Sequence, residues 1–287
     1  MSRFVKSHAL GNDYIVLESH GLAFPLTPEA VRRLCDRHFG VGSDGVLVRV
    51  PSDRADFGLR IYNPDGSEAE KSGNGLRIFA KYLYDHGHAP GPQFTVETPG
   101  GVVRCEVEAQ VGRAVRVTVD MGEATFTSTR IPVLGPPREV VDEPLEVEGT
   151  ALRITAVNVG NPHCVVFTDQ LAAVDLARLG PALERHPLFP QRTNVQFAQV
   201  LGPDRVRIRI WERGAGETLA SGSSACAVAA ACVRRGVAGP HVQVEMDGGV
   251  LQVSVEEGFR LRMSGPAEEV YAGELAAEFV DLLRGAA

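Results

Sequence analysis

The sequence predicts an α+β fold made of two similar halves, each with many short strands and one central helix. Three observations carry that expectation. Segments recur at one constant offset, Gly11-Asn12 reappearing as Gly160-Asn161 (160 − 11 = 149) and Arg60-Ile61-Tyr62 as Arg209-Ile210-Trp211. Glu68 falls on Glu217, and Ser72-Gly73 on Ser221-Gly222, with no gap needed between residues 11 and 80. Most apolar runs are short and β-rich, and each half contains one apolar helical stretch directly after a serine loop. A chain that is one fold written twice implies two halves related by a pseudo-twofold axis, so that whatever binds between them meets a serine loop from either side. We place the halves at residues 1–120, joined by 266–287, and at 121–265.

The strand expectations follow the chain in order. Ile15-Val16-Leu17, Val46-Leu47-Val48, Leu59 to Tyr62, Phe94 to Glu97, Val102 to Val107 and Ala114 to Val119 fall in the first half. Thr155 to Val159, Cys164 to Phe167, Val195 to Val200, Val206 to Trp211, Val242 to Met246, Val250 to Val255 and Leu261 to Met263 follow in the second. Val115 to Val119 and Arg207 to Ile210 alternate polar and apolar residues, the period of a half-buried strand. Helices are expected over Pro28 to Asp36, after the N-cap Thr27, and over Leu76 to His86, Ala172 to Arg185 (broken at Gly180-Pro181), Ala225 to Arg235 and Glu274 to Arg284. The Pro-rich stretch from Ile131 to Pro144 reads as a loop or a crossing between halves. A layered or a barrel-like sheet would enclose each central helix.

Composition narrows the function class. Of 287 residues, 44% are hydrophobic and 23% charged, ordinary material for two cores. A net charge of −7 gives no general attraction for nucleic acid or an anionic membrane. The most apolar helical stretch, Ala225 to Val233, is far too short to span a bilayer. Met1 to Lys6 opens into a strand-like segment without a signal-peptide core. Cys35, Cys105, Cys164, Cys226 and Cys232 form an odd set without metal-type spacing, which fits reduced thiols and a cytoplasmic location. The histidines show no ligand spacing either, so no metal is expected.

Ser72-Gly73-Asn74-Gly75 and Ser221-Gly222-Ser223-Ser224 each lie between a β run and a helix start. A glycine-rich turn there presents backbone N–H groups and the positive end of the helix dipole, which suits a carboxylate or phosphate. One such loop alone is ordinarily a cap, since Ser, Gly and Asn are favoured there. Two in register, preceded by Gly66-Ser67-Glu68 and Gly214-Ala215-Gly216-Glu217, point to a ligand. Glu68 and Glu217 are expected to hold the turn before each serine.

Lys6 to Tyr14, Asn63-Pro64-Asp65-Gly66-Ser67-Glu68, Gly160-Asn161-Pro162-His163 and Glu212 to Thr218 resemble diaminopimelate epimerase in order and spacing, over nearly the whole chain. The resemblance implies a cofactor-independent amino-acid epimerase, with two pseudo-symmetric domains that are each a β-barrel-like sheet around a central helix. It implies a small-molecule amino-acid substrate lying between the domains and inversion of LL- to meso-diaminopimelate by α-proton exchange. Pyridoxal phosphate is not needed. Members are often dimers, and a homodimer is therefore expected, with no interface signal in the sequence. In that family two cysteines, one per half, take the first position of each loop, one acting as thiolate base and the other as thiol acid. Here both matching positions are serine, Ser72 and Ser221.

The resemblance assigns Glu212 and His163 to orienting or tuning the second proton handler. It assigns Asn12, Asn63, Asn161, Asn194 and Arg213 to substrate contacts, and Gly73, Asn74, Gly222 and Ser223 to loop contacts with the reacting carboxylate. From the residues alone, Arg213 suits a bidentate carboxylate contact, or else a surface ion pair. A lone His163 is an ordinary hydrogen-bonded residue, and each asparagine an ordinary turn residue. Gly45 stands where some members carry a glutamine, and the second loop reads Gly-Ser-Ser where Gly-Thr-Gly or Gly-Ser-Gly is common. Three readings of the serines stay open: deliberate replacement of the thiols, a divergent racemase, isomerase or dehydratase of another small acid, and a catalytically silent amino-acid binder. Cys226, five residues beyond Ser221 and inside the helix, cannot replace it without a large shift.

Overall fold

Two helices buried on nearly every side organise the chain. The computed structural model describes residues 2–285. Its α-helices among those residues are α1 (Pro28–Cys35), α2 (Gly73–Asp85), α3 (Leu176–Glu184), α4 (Gly222–Arg234) and α5 (Ala277–Arg284). The chain divides into unit 1, residues up to Val119 together with those from Gly265 onward, and unit 2, Asp120–Ser264.

In unit 1 the strands lie in the order Glu268–Glu274, Arg3–Ala9, Asn12–Glu18, Val46–Val50, Phe57–Tyr62, Gln93–Thr98, Gly101–Gln110 and Arg113–Glu123, the last running past the unit boundary. Neighbours are antiparallel except at Asn12–Glu18 with Val46–Val50 and at Phe57–Tyr62 with Gln93–Thr98. Unit 2 repeats the pattern through Glu143–Val147, Thr150–Asn158, Pro162–Phe167, Asn194–Gly202, Arg205–Glu212, His241–Met246, Gly249–Val255 and Arg260–Gly265. Its two parallel pairs fall at the same two places. Short strands, Glu68–Ala69 and Gly216–Thr218, add to the equivalent strand in each unit.

Helix α2 touches Glu268–Glu274 and Arg3–Ala9 at one end of its strand order and Gly101–Gln110 near the other, so the sheet wraps it. Every residue from Asn74 to Leu83 is buried in consequence. Helix α4 is enclosed in the same way, and Ala225 to Cys232 are without accessible surface. Its small side chains let the strands of unit 2 approach closely, whereas α2 fills its barrel with Leu76, Ile78, Phe79 and Leu83. Each such buried large apolar side chain contributes about 1.5–3 kcal/mol. Helices α1 and α3 lie outside the central helices at equivalent places in the repeat. Thr27 caps α1 by accepting from the Ala30 N–H at 3.2 Å, and Asp175 caps α3 by accepting from Arg178 N–H at 3.2 Å.

The structure differs from the sequence expectations at several boundaries. α2 and α4 begin at Gly73 and Gly222, a turn earlier than Leu76 and Ala225, because the serines themselves are the N-caps. The last helix starts at Ala277, since Glu268–Glu274 is a strand paired with Arg3–Ala9. α3 continues through Pro181; Gly180 before it lacks the Cβ that a proline ring normally crowds. Ala172 belongs to a separate 3₁₀ turn, Leu171–Ala173. Ile131 to Pro144 lies within unit 2, with Ile131, Val133 and Val140 buried in its core. Glu68 and Glu217 pair with Arg60 and Arg209 instead of holding the turns, tying each short strand to its neighbour.

A charged cluster closes one end of unit 1. Lys6 and Arg37 both bind Asp13, and Arg37 also reaches Asp44 at 2.8 Å. Burial alone would raise the Asp13 carboxyl, but the hydrogen bonds from Arg37 and Lys6 outweigh it and hold the pKa at about 2, below the ordinary 3.8. A folded pKa below the unfolded one stabilises fully above pH 3.8, and the contribution is lost as pH falls through about 2. Asp13→Asn is therefore expected to cost about 2 kcal/mol at neutral pH. Urea unfolding checks this, and the gap between the two proteins should close in acid.

Candidate active site

Both central helices start from a serine in extended conformation, Ser72 at φ −139°, ψ 119° and Ser221 at φ −144°, ψ 123°. Ser72 Oγ accepts from the Gly75 N–H at 3.0 Å, and Ser221 Oγ accepts from the Ser224 N–H at 3.4 Å. Gly73 and Gly222 are then the first helical residues, whose N–H groups have no partner within the helix. Each unit thus offers a small polar loop with a partial positive charge, suited to a carboxylate.

In unit 1 the loop is tied to a chain of side chains. Asn74 donates to Asn12 Oδ1 at 3.0 Å, and Asn12 donates to Asp44 Oδ2 at 3.0 Å. Arg77, fully buried, donates to Asn74 Oδ1 at 2.9 Å and to Gly73 O at 3.1 Å. Tyr14 OH lies 3.4 Å from Ser72 Oγ. Asn63 stands apart in its own turn, donating to Ser67 Oγ at 3.0 Å. Gly45 has no room for a side chain: a Cβ there would sit 2.5 Å from Tyr62 O and 2.7 Å from Tyr14 Cε1.

In unit 2 the partners differ. Ser221 Oγ donates to Glu212 Oε2 at 3.1 Å, Thr218 donates to Glu212 Oε1 at 2.8 Å, and Ser223 Oγ lies 3.4 Å from Ser221 Oγ. Burial pushes the Glu212 carboxyl up, against the two hydroxyls that stabilise its ionised form. His163 has no exposed surface, and burial pulls its imidazole down to about 3. Gln196 donates to its Nδ1 at 3.0 Å, so the ring proton sits on Nε2 and is donated to Asn161 Oδ1 at 2.8 Å. Gln196 also donates to Ser224 Oγ at 2.9 Å, and the Ser224 N–H in turn donates to the capping Ser221 Oγ. Asn194 accepts from Arg213 N–H at 2.9 Å and donates to Pro162 O at 2.9 Å. The Arg213 side chain is exposed and donates to Gln191 O at 3.0 Å.

The two halves are therefore one plan with different chemistry. At the repeat offset Tyr14 corresponds to His163, and Asn63 to Glu212. Ser72 faces a phenol, whereas Ser221 faces a carboxylate. Cys164 and Cys226 are buried, and burial raises the Cys164 thiol to about 12, which suits packing. A cavity of about 470 Å³ in unit 1, lined by Arg3, Glu18, His20, Tyr82 and His86 among others, holds none of the candidate residues.

A family model described as diaminopimelate epimerase matches residues 4–127 and 155–270. The chain belongs to the diaminopimelate epimerase family. It is 48% identical over 275 residues to a diaminopimelate epimerase of Pelotomaculum thermopropionicum, covering 94% of this chain and 98% of the relative. It is 46% identical over 277 residues to diaminopimelate epimerase 2 of a Nostoc species, with 96% of each covered. Among solved structures it is similar in fold to a probable proline racemase from Agrobacterium radiobacter, at TM-score 0.71 and 17% identity, covering 96% of this chain and 93% of that one. A hydroxyproline epimerase from Agrobacterium vitis superposes at TM-score 0.70 and 18% identity, with 95% and 91% covered. Membership makes this chain one of a family of isomerases. No helix among the described residues is long and apolar enough to cross a membrane.

Sequence reasoning passed over Tyr14, Gln196, Ser224, Thr218 and Asp44, although all touch the candidate residues. Tyr14 carries a signal in its coincidence with His163 in the repeat, and Ser224 and Thr218 lie inside the sequence motifs, whereas Gln196 and Asp44 carry none. Both serines also have a structural role that can be measured alone. Ser72→Ala is expected to lower unfolding stability by about 1 kcal/mol. Ser221→Ala should cost less, its cap bond being longer, and thermal or urea unfolding of both variants checks the order.

Proposed function

We propose that this chain binds diaminopimelate as the relatives' name implies, with Ser72 and Ser221 standing where the reaction places its two proton handlers. The observation that carries the reading is that both serines cap a central helix at matching positions, each with its own polar partner, Tyr14 or Glu212. Inversion at an α-carbon needs a base on one face and an acid on the other. The reaction requires neither a metal nor pyridoxal phosphate, since the α-proton is exchanged directly. The N-termini of α2 and α4 suit the α-carboxylate and the charge that develops as the Cα–H bond breaks. Asn12, Asn74, Gly73, Gly222 and Ser223 would serve that end of the ligand. Asn63, Asn161, Asn194 and Arg213 would serve its second amino-acid head, with His163 holding the Asn161 amide. A cytoplasmic location with reduced thiols suits such a metabolite enzyme, and a homodimer follows only from the family.

The serines set the limit. A thiol starts near pKa ~8.5 and a helix N-terminus lowers it, so one of a pair is ionised near neutrality. A hydroxyl is a far weaker acid, and one helix terminus does not close that difference. Recognition without efficient turnover is the outcome this chemistry favours. One observation favours a second reading: Ser221 already donates to Glu212, whose pKa is raised by burial. Glu212 could then take the α-proton through Ser221, giving exchange on one face without inversion.

Incubation with LL- and meso-diaminopimelate in heavy water, followed by mass spectrometry of the α-carbon, separates these readings. Little deuterium is expected for this chain despite bound ligand. Ser72→Cys with Ser221→Cys should raise incorporation by about 10²–10⁴-fold, the scale of a positioned acid–base pair. Deuterium at α-carbons of unchanged configuration would favour the Glu212 route. A folded, ligand-binding double variant without exchange would overturn the epimerase reading.

A further inference from the structure

Glu212 and Arg213 sit on a strand end and turn, and something must fix the backbone that carries them. One buried carboxylate does so from another element. Glu184, the last residue of α3, is 1% exposed. Its Oε2 accepts from Trp211 Nε1 at 2.8 Å, and its Oε1 accepts from Gly214 N–H at 3.2 Å and from Arg192 at 3.3 Å. Trp211 and Gly214 immediately flank Glu212-Arg213, so the carboxylate grips the pair from both sides. The slot for the indole is built one helical turn earlier: a Cβ on Gly180 would lie 2.6 Å from Trp211 Cδ2. Gly180 and Glu184 share a face of α3 at i, i+4, one admitting the ring and the other accepting its N–H. Glycine is unfavourable inside a helix, so this arrangement is maintained against local preference.

The repeat supplies the control. At the same offset, Gly180, Glu184 and Trp211 correspond to Val31, Cys35 and Tyr62 of unit 1, all in one apolar cluster. There the strand leads to Asn63-Pro64 in place of Glu212-Arg213. The clamp exists only in the half that carries the charged pair.

We propose that Glu184 is a positioning residue, setting the path of residues 211–214 and through it the reach of Glu212 and Arg213. The proposal rests on the reading in which that pair meets diaminopimelate. Trp211 is the sole tryptophan of the chain, so its indole N–H gives one unambiguous nuclear magnetic resonance signal. Glu184→Gln should move that signal together with the amide signals of Arg213 and Gly214. It should weaken diaminopimelate binding about tenfold, the scale of one hydrogen bond to a charged group. Trp211→Phe, which keeps an aromatic ring of smaller size and removes the N–H, should weaken binding in the same direction, and the double variant should lose less than the two losses combined. Wild-type affinity in folded Glu184→Gln and Trp211→Phe would overturn the proposal, as would fully additive losses. Should Glu184→Gln not fold, Trp211→Phe decides. Should the unaltered chain not bind diaminopimelate, the ligand reading falls by itself. The Arg213 and Gly214 signals then decide the clamp, which is overturned if neither variant moves them.

Discussion

Capping of two fully enclosed helices is the constraint on which the rest depends. The first N–H groups of a helix have no partner within it, and a side-chain oxygen supplies one. Ser72 and Ser221 meet that need. The same requirement leaves the next N–H groups, at Gly73 and Gly222, at the positive end of each helix. A hydroxyl is a better cap than a proton handler, and a thiol in its place would exchange helix stability for acidity. The chain has the residue that favours the helix in both places.

Duplication makes the differences informative. Strand order, parallel pairs and the Arg60–Glu68 and Arg209–Glu217 ties recur, so a departure at an equivalent position stands out against a shared frame. The departures gather in unit 2. His163, kept neutral by burial, is hydrogen-bonded to Gln196 and Asn161, half-buried Glu212 accepts from Ser221, and Glu184 accepts from Trp211 and Gly214 on either side of the charged pair. Unit 1 has at those positions Tyr14, Asn63 and Cys35, with its own charge concentrated in the Lys6, Asp13, Arg37 and Asp44 cluster. One half sets a carboxylate beside its serine, the other a phenol and the hydrogen-bonded Asn74-Asn12-Asp44 chain.

Much of the fold was legible because a fixed period is a strong signal. The α+β class and the central helices could be read from apolar runs and the serine loops that precede them. Glu268–Glu274 escaped because it is mostly exposed and rich in glutamate, and only its pairing with Arg3–Ala9 makes it a strand. α3 looked broken because glycine and proline are read singly, whereas together they relieve each other's crowding. Loop residues of the candidate site were visible through motif spacing. Their supports were not, because Gln196 meets His163 from 33 residues away and Glu184 meets Trp211 from 27, distances over which sequence carries no pairing information.

We propose that this chain, with Ser72 and Ser221 where the family resemblance places thiols, carries a recognition site for diaminopimelate. Calorimetric titration of the unaltered chain with LL-diaminopimelate tests it most directly, with Arg213→Ala as the comparison. Saturable one-to-one binding is expected, weakened by about tenfold or more in Arg213→Ala, the effect of losing a charge-assisted carboxylate contact. No binding at millimolar ligand, in a protein shown to be folded, would contradict it.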